Sequence, residues 1–178
     1  MDVASLLLEL YDRIPPLAGG AVSGLDLERL SQAPAPGANT IAWLVWHTAR
    51  IQDHHIAQLL GAEQIWRQDE DEGEDEGGGG WAARFGLEPD PSNTGYGHST
   101  EEVADVRPER PDVLVEYLDA VYRRTRTMLE GLVASDLDRV VDRRWDPPVT
   151  LGVRLVSIAD DSLQHLGQAA YVRGLLGR

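Results

Sequence analysis

Asn39-Thr-Ile-Ala-Trp-Leu-Val-Trp-His-Thr-Ala-Arg-Ile-Gln-Asp-His-His-Ile-Ala-Gln-Leu-Leu-Gly61 is the stretch around which the rest of the chain is organised. Asn39 and Thr40 suit an N-cap, whose side-chain oxygen accepts from a backbone N–H left open by the first turn, and Gly61 suits a left-handed stop. Between them Ile41, Leu44, Val45, Thr48, Ile51, His55 and Leu59 recur at helical spacing. The spacing predicts an amphipathic helix of about six turns. It carries His47 on a largely apolar face, one turn after Trp43 and one turn before Ile51.

Working outward, Val3 to Ile14 reads as helix from the stripe Leu6, Leu7, Leu10, Tyr11 and Ile14. Pro15-Pro16 disturb it, yet Ala18, Val22 and Leu25 keep the spacing, so a kinked continuation to Leu25 is expected, with one further turn over Asp26 to Leu30. Ala33-Pro-Ala-Pro-Gly37 separates this unit from the histidine helix. A long connection runs from Ala62 to about Pro111, with a short turn at Glu63 to Trp66. Its second half is rich in aromatics (Trp81 to Leu87, Thr94 to Thr100) and is expected to fold back across the mouth of a helical bundle. Ser99-x-x-Glu102 has capping-box spacing and opens a short helix through Ala104.

A third long helix is expected from Pro111 to about Leu132, and a fourth after Thr150 to Leu176. Between them Asp136 to Val141 reads as a short helix, and Trp145-Asp-Pro-Pro148 cannot be helical. No strand is expected. Four long helices and no repeat make this an all-α chain of the four-helix-bundle class, with a long loop between helices 2 and 3.

Bundle cores often hold metals through inward side chains of facing helices. In Asp160-Asp-Ser-Leu-Gln-His165, Asp161 and His165 are spaced i and i+4, on one helix face about 6 Å apart along the axis. Two imidazoles and a carboxylate from His47, Asp161 and His165 suit a borderline divalent ion and leave positions open, as in catalytic sites. The competing reading is a satisfied buried histidine beside an ordinary helix pair. His54 lies about 10 Å further along the axis, too far to share that ion, and His55 is expected to face the first helix. His98, in a Gly-Tyr-Gly-His loop, either joins a lid or packs; Gln168, Tyr96 and Arg50 are candidate pocket or lid residues, Arg84 a further carboxylate-orienting candidate. Trp43 and Trp46 read as packing. No Gly-x-Ser-x-Gly nucleophile context and no phosphate-cradling glycine loop occurs.

Length and composition bound the rest. A chain of 178 residues can bury a core as a single domain, 1–178. With no cysteine there are no disulfides, thiolate ligands or cysteine nucleophile, so thiol chemistry would need an external thiol. A net charge of −14 disfavours nucleic acid and anionic membranes. Half of the acidic excess lies in Asp69 to Gly80, expected to be a solvated, flexible acidic and glycine-rich loop (about 68–80); it lacks the alternate ligand spacing of a calcium loop. Without a signal-peptide pattern or an apolar run of membrane length, the chain is expected to be soluble and cytoplasmic.

Trp43-Leu-Val-Trp-His-Thr-Ala-Arg-Ile-Gln-Asp53, with Asp161-x-x-x-His165-x-Gly-Gln168, resembles the DinB-like superfamily, in the branch that includes mycothiol-dependent and other thiol-dependent enzymes. The resemblance implies an up-down-down-up bundle, often dimeric, in which a histidine of the second helix and an H-x-x-x-H pair of the fourth bind zinc or nickel. By that match His47 and His165 correspond to ligands, and Asp161 stands where the pair's first histidine is usual. It further implies a metal-dependent transferase or isomerase, with mycothiol as a co-substrate and a small-molecule substrate. Exposed tryptophans would lend support to a homodimer. The rival reading is a non-enzymatic dimeric metal-binding or stress-response protein with a degenerate site.

Overall fold

Thr40 and Gly61 delimit the histidine helix as their chemistry requires. In the computed structural model, which describes residues 1–68 and 80–177, the Thr40 side chain accepts from the Trp43 N–H, and Gly61 takes the left-handed conformation (φ 63°) that closes the helix. The acidic stretch at 69–79 lies outside the described residues.

The helices are α1 (Val3–Tyr11), α2 (Ile14–Val22), α3 (Leu27–Leu30), α4 (Ile41–Leu60), α5 (Gly80–Arg84), α6 (Thr100–Asp105), α7 (Val113–Glu130) and α8 (Leu151–Leu175), with single 3₁₀ turns at Ile65–Arg67 and Ala134–Asp138. The expected kinked first helix is instead two. Pro15 and Pro16 have no N–H to offer the carbonyls of Tyr11 and Asp12, so α1 ends at Tyr11. The same prolines fit the first turn of α2, where no intrahelical acceptor exists for an N–H. Asp26 caps the single turn of α3, and Ser99 and Glu102 form the reciprocal capping box at α6.

Helix α4 packs along both α7 and α8, α2 spans the same two helices, and α1 lies on α7. The core between them is built from Tyr11, Ile14, Leu44, Trp46, Leu118 and Leu155, all almost wholly buried. Polar pins cross it: Tyr11 Oη donates to Leu155 O at 2.7 Å, and Gln52 Nε2 donates to Thr125 Oγ1 at 2.7 Å.

A second correction concerns the α7–α8 connection. Val140–Asp142 (β1) pairs antiparallel with Val149–Thr150 (β2), matching Val140 to Thr150 and Asp142 to Val149. The β-branched residues on either side of the proline turn favour extended backbone, but strands this short leave no alternation to read. Asp142 locks the hairpin to α8: Arg144 and Arg154 both donate to its carboxylate, at 2.8 and 3.1 Å. Arg154 also meets His55 at 3.5 Å, so His55 faces the start of α8 and not the first helix. Of the tryptophans only Trp145 is exposed, at 65%; Trp43, Trp46, Trp66 and Trp81 are buried.

Candidate metal centre

Helix α4 places His47 in the seam with α8, and there it meets Asp161 and His165. One ligating atom from each of the three residues lies within 4.8 Å of the others. His47 Nε2 is 4.0 Å from Asp161 Oδ1, and the two imidazole centroids are 4.6 Å apart. Trp43 lies flat against His47, with centroids 4.6 Å apart and planes 7° from parallel, which walls the ring on one side.

The second ring nitrogens decide what these groups can do. His47 Nδ1 is 2.6 Å from the Thr94 carbonyl, and His165 Nδ1 is 2.9 Å from the Asp161 carbonyl. A carbonyl only accepts, so each Nδ1 carries the proton and each Nε2 presents a lone pair. This is the orientation that backbone carbonyls impose on metal-ligating histidines. Burial, reinforced by the charge His165 would carry, lowers the His47 pKa to about 4, so the ring is neutral near pH 7. Burial likewise raises Asp161, whose buried Oδ2 has no hydrogen-bond partner among the described residues. A carboxylate oxygen left dry and unpaired, in a carboxylate 4.0 Å from the His47 Nε2 and 3.6 Å from the His165 Nδ1, costs free energy, and a cation would offset it. The donor set of two imidazoles and one carboxylate therefore fits a divalent first-row ion with bonds of about 2.0–2.2 Å, after small side-chain rotations.

A strap from Asp90 to His98 covers this group. Arg50, fully buried, donates to Asn93 O at 3.0 Å and Pro91 O at 3.3 Å, while Asp53, Tyr117 and Gln64 engage its remaining donors. Asp53 in turn accepts from the Ile65 and Trp66 N–H groups and from Tyr117 Oη. Arg50 thus anchors the strap and has no donor left for a substrate carboxylate. His98 closes the other end: its Nδ1 accepts from Trp43 Nε1 at 3.1 Å, and its Nε2 donates to Asn93 Oδ1 at 2.9 Å. With both ring nitrogens engaged, His98 holds the strap down without joining the cluster. Gly95 crosses so close that a Cβ there would lie 2.7 Å from His47 Nδ1, and its φ of 89° is one that glycine tolerates.

The other sequence candidates sit apart. Tyr96 rides on the strap but is 91% exposed, pointing away from the cluster. Gln168 is one turn beyond His165 on α8, outside the cluster. Arg84 pairs with Glu109 and Glu116, and His54 meets Gln64. Thr94, which acts through its backbone, and Gly95 were not singled out by sequence reasoning. The glycines flanking Tyr96 were the one available signal, since paired glycines in an aromatic loop mark close backbone approach.

The profile of the DinB superfamily matches residues 11–169. The chain belongs to the DinB superfamily. A crystal structure described as the conserved protein of locus from Enterococcus faecalis is similar over 100% of this chain and 99% of its own, at 32% identity and a TM-score of 0.85. No curated protein matches. This DinB superfamily member is mostly helical, and among its described residues no helix is long and apolar enough to cross a membrane.

Proposed function

We propose that His47, Asp161 and His165 form a divalent metal centre, zinc or nickel, and that the protein is a metal-dependent enzyme using a low-molecular-weight thiol such as mycothiol in transfer or isomerisation. The observation that carries this is the pair of backbone carbonyls that engage Nδ1 of both imidazoles and leave Nε2 free, with His47 Nε2 4.0 Å from Asp161 Oδ1 and Asp161 Oδ2 buried and unpartnered. A bound ion would supply Lewis acidity, lowering the pKa of a thiol or water brought to it. The chain itself has no cysteine, so the thiol comes from outside. Trp43 and the strap keep water off one side of His47, and the Thr94 carbonyl keeps the His47 proton on Nδ1. The half-exposed sides of Asp161 and His165, 30% and 21% accessible, are the approach for a substrate.

The same reading takes residues 1–178 as one domain, with α1 and α2 together as the first helix of an up-down-down-up bundle completed by α4, α7 and α8. It takes the protein as a cytoplasmic homodimer acting on a small molecule. The rival, a metal-binding protein without turnover, is favoured by one feature: His98, on the strap over the cluster, has both ring nitrogens engaged in structural hydrogen bonds.

Elemental analysis of untagged protein beside His165→Ala, after dialysis against a weak chelator, tests the centre. Near-stoichiometric zinc or nickel in the first and its loss in the second supports it. A wild-type protein that neither retains nor takes up either ion refutes it. Turnover of thiol and electrophile pairs that tracks metal content then separates the enzyme from the binding protein.

A further inference from the structure

On α8, Asp161, His165, Gln168, Val172 and Leu175 recur at steps of four and three, so they share one helix face. The first two belong to the metal cluster. The last three line a solvent-open groove of about 350 Å³, bounded on the other side by Leu44 of α4 and by Ala35 and Ala38 of the α3–α4 connection, with Tyr171 and Leu175 themselves largely exposed. Leu44 stands one turn before His47 as Gln168 stands one turn after His165. On both helices the nearest groove residue thus stands one turn, about 5 Å of rise, from a cluster residue, and no cluster residue itself lines the groove.

The groove's chemistry is specific in what it lacks. None of its lining residues is an acid, arginine or lysine, and its polar groups are the carboxamides of Asn39 and Gln168 and the Tyr171 hydroxyl. With the chain at −14, and Arg50 committed to the strap, an anionic substrate group finds no counter-ion here. At about 30 Å³ per water, the volume equals about a dozen waters, room for on the order of ten non-hydrogen atoms.

We propose that this groove is the specificity pocket of the metal centre and that it takes an uncharged, mainly apolar acyl or aryl group of the substrate. The reactive end of that substrate lies one turn away at His47, Asp161 and His165. The proposal rests on the metal-centre reading, and its test separates the two.

The probes are linear alkyl hydroxamates from acetohydroxamate to octanohydroxamate, titrated calorimetrically into the zinc-loaded full chain. The head group reports on the ion and the tail on the groove. At about 0.8 kcal/mol per buried methylene, full burial tightens binding about fourfold per carbon. Even half of that gain in free energy makes the octanoyl probe about fiftyfold tighter than the acetyl one. Ala35→Trp, an exposed loop position whose indole would occupy the groove, is expected to flatten this chain-length slope. Acetohydroxamate binding with no slope overturns the pocket and leaves the metal centre standing, and so does a slope that survives Ala35→Trp. A flat slope in a dimer that Leu175→Arg converts to monomers assigns the groove to a second copy of the chain. Absence of both zinc and hydroxamate binding overturns the metal centre and the pocket with it.

Discussion

Gly95→Ala tests the strap with one added methyl group. The new Cβ would lie 2.7 Å from His47 Nδ1, 2.9 Å from Trp46 Cζ3 and 3.1 Å from Trp43 Cζ2. All three are atoms of rigid rings set in the core, so none is the yielding end of a flexible chain. Overpacking of this kind costs about 1–3 kcal/mol, and a left-handed alanine adds roughly 1–2 kcal/mol. If the strap lifts to relieve the clash, the Thr94 O–His47 hydrogen bond goes with it, at about 1–3 kcal/mol. Gly97→Ala is the internal control, because Gly97 has a similar φ of 77° but nothing within 4 Å of its Cβ site. The control is expected to lose about 1–2 kcal/mol, and Gly95→Ala about 2–5 kcal/mol, the left-handed alanine plus either the clash or the lost hydrogen bond. At about 2–4 °C per kcal/mol for a chain of this size, that is a loss of roughly 10 °C in Tm against a few degrees. Calorimetry of the metal-free proteins measures it. Competition for zinc against a chromophoric chelator should show Gly95→Ala weaker by about 10–100-fold, as for loss of an outer-shell partner. Equal Tm values for the two variants, with equal zinc affinity, would mean that the strap does not set His47.

Asp53→Ala removes the acceptor for two backbone N–H groups and the counter-charge of Arg50, which is itself fully buried. A cost of about 3–5 kcal/mol is expected, and a Tm loss below about 3 °C refutes the network's role. Acid should weaken the metal-free protein. His47 and His55 are both lowered from 6.5 to about 4, mainly by burial, helped by His165 for the first and Arg154 for the second. Between those values the unfolded chain binds protons that the folded chain refuses, so this stability is complete above pH 6.5 and is lost progressively toward pH 4. At 1.36 kcal/mol per pKa unit each histidine contributes about 3 kcal/mol. Asp161, raised by burial, acts in the opposite direction as the pH falls through its raised pKa. Urea unfolding at pH 7 and 4.5 measures the difference, and equal stability at both refutes it.

What the sequence by itself determined is what local chemistry and periodicity specify. Thr40 and Gly61 bound α4, and Thr150 opens α8, because a cap is a contact between residues a few positions apart. The capping box at Ser99 was legible for the same reason. That Asp161 and His165 share a helix face was legible from their i, i+4 spacing, and His47 from the buried face of α4 meets them at the edge of the α8 core stripe. The tertiary structure alone decided the rest. Helical spacing survived Pro15-Pro16, but whether the chain kinks or breaks depends on carbonyls that must find other partners. The β1–β2 hairpin takes its register from pairing and from the Arg144–Asp142–Arg154 bridge, which no two-residue strand announces. Arg50 could have met a substrate or the strap, and buried acceptors at Asn93, Pro91 and Asp53 settled which. The proton positions on His47 and His165 follow from carbonyls at Thr94 and Asp161. A ring's second nitrogen is set by whatever the fold brings to it, and sequence spacing carries no record of that.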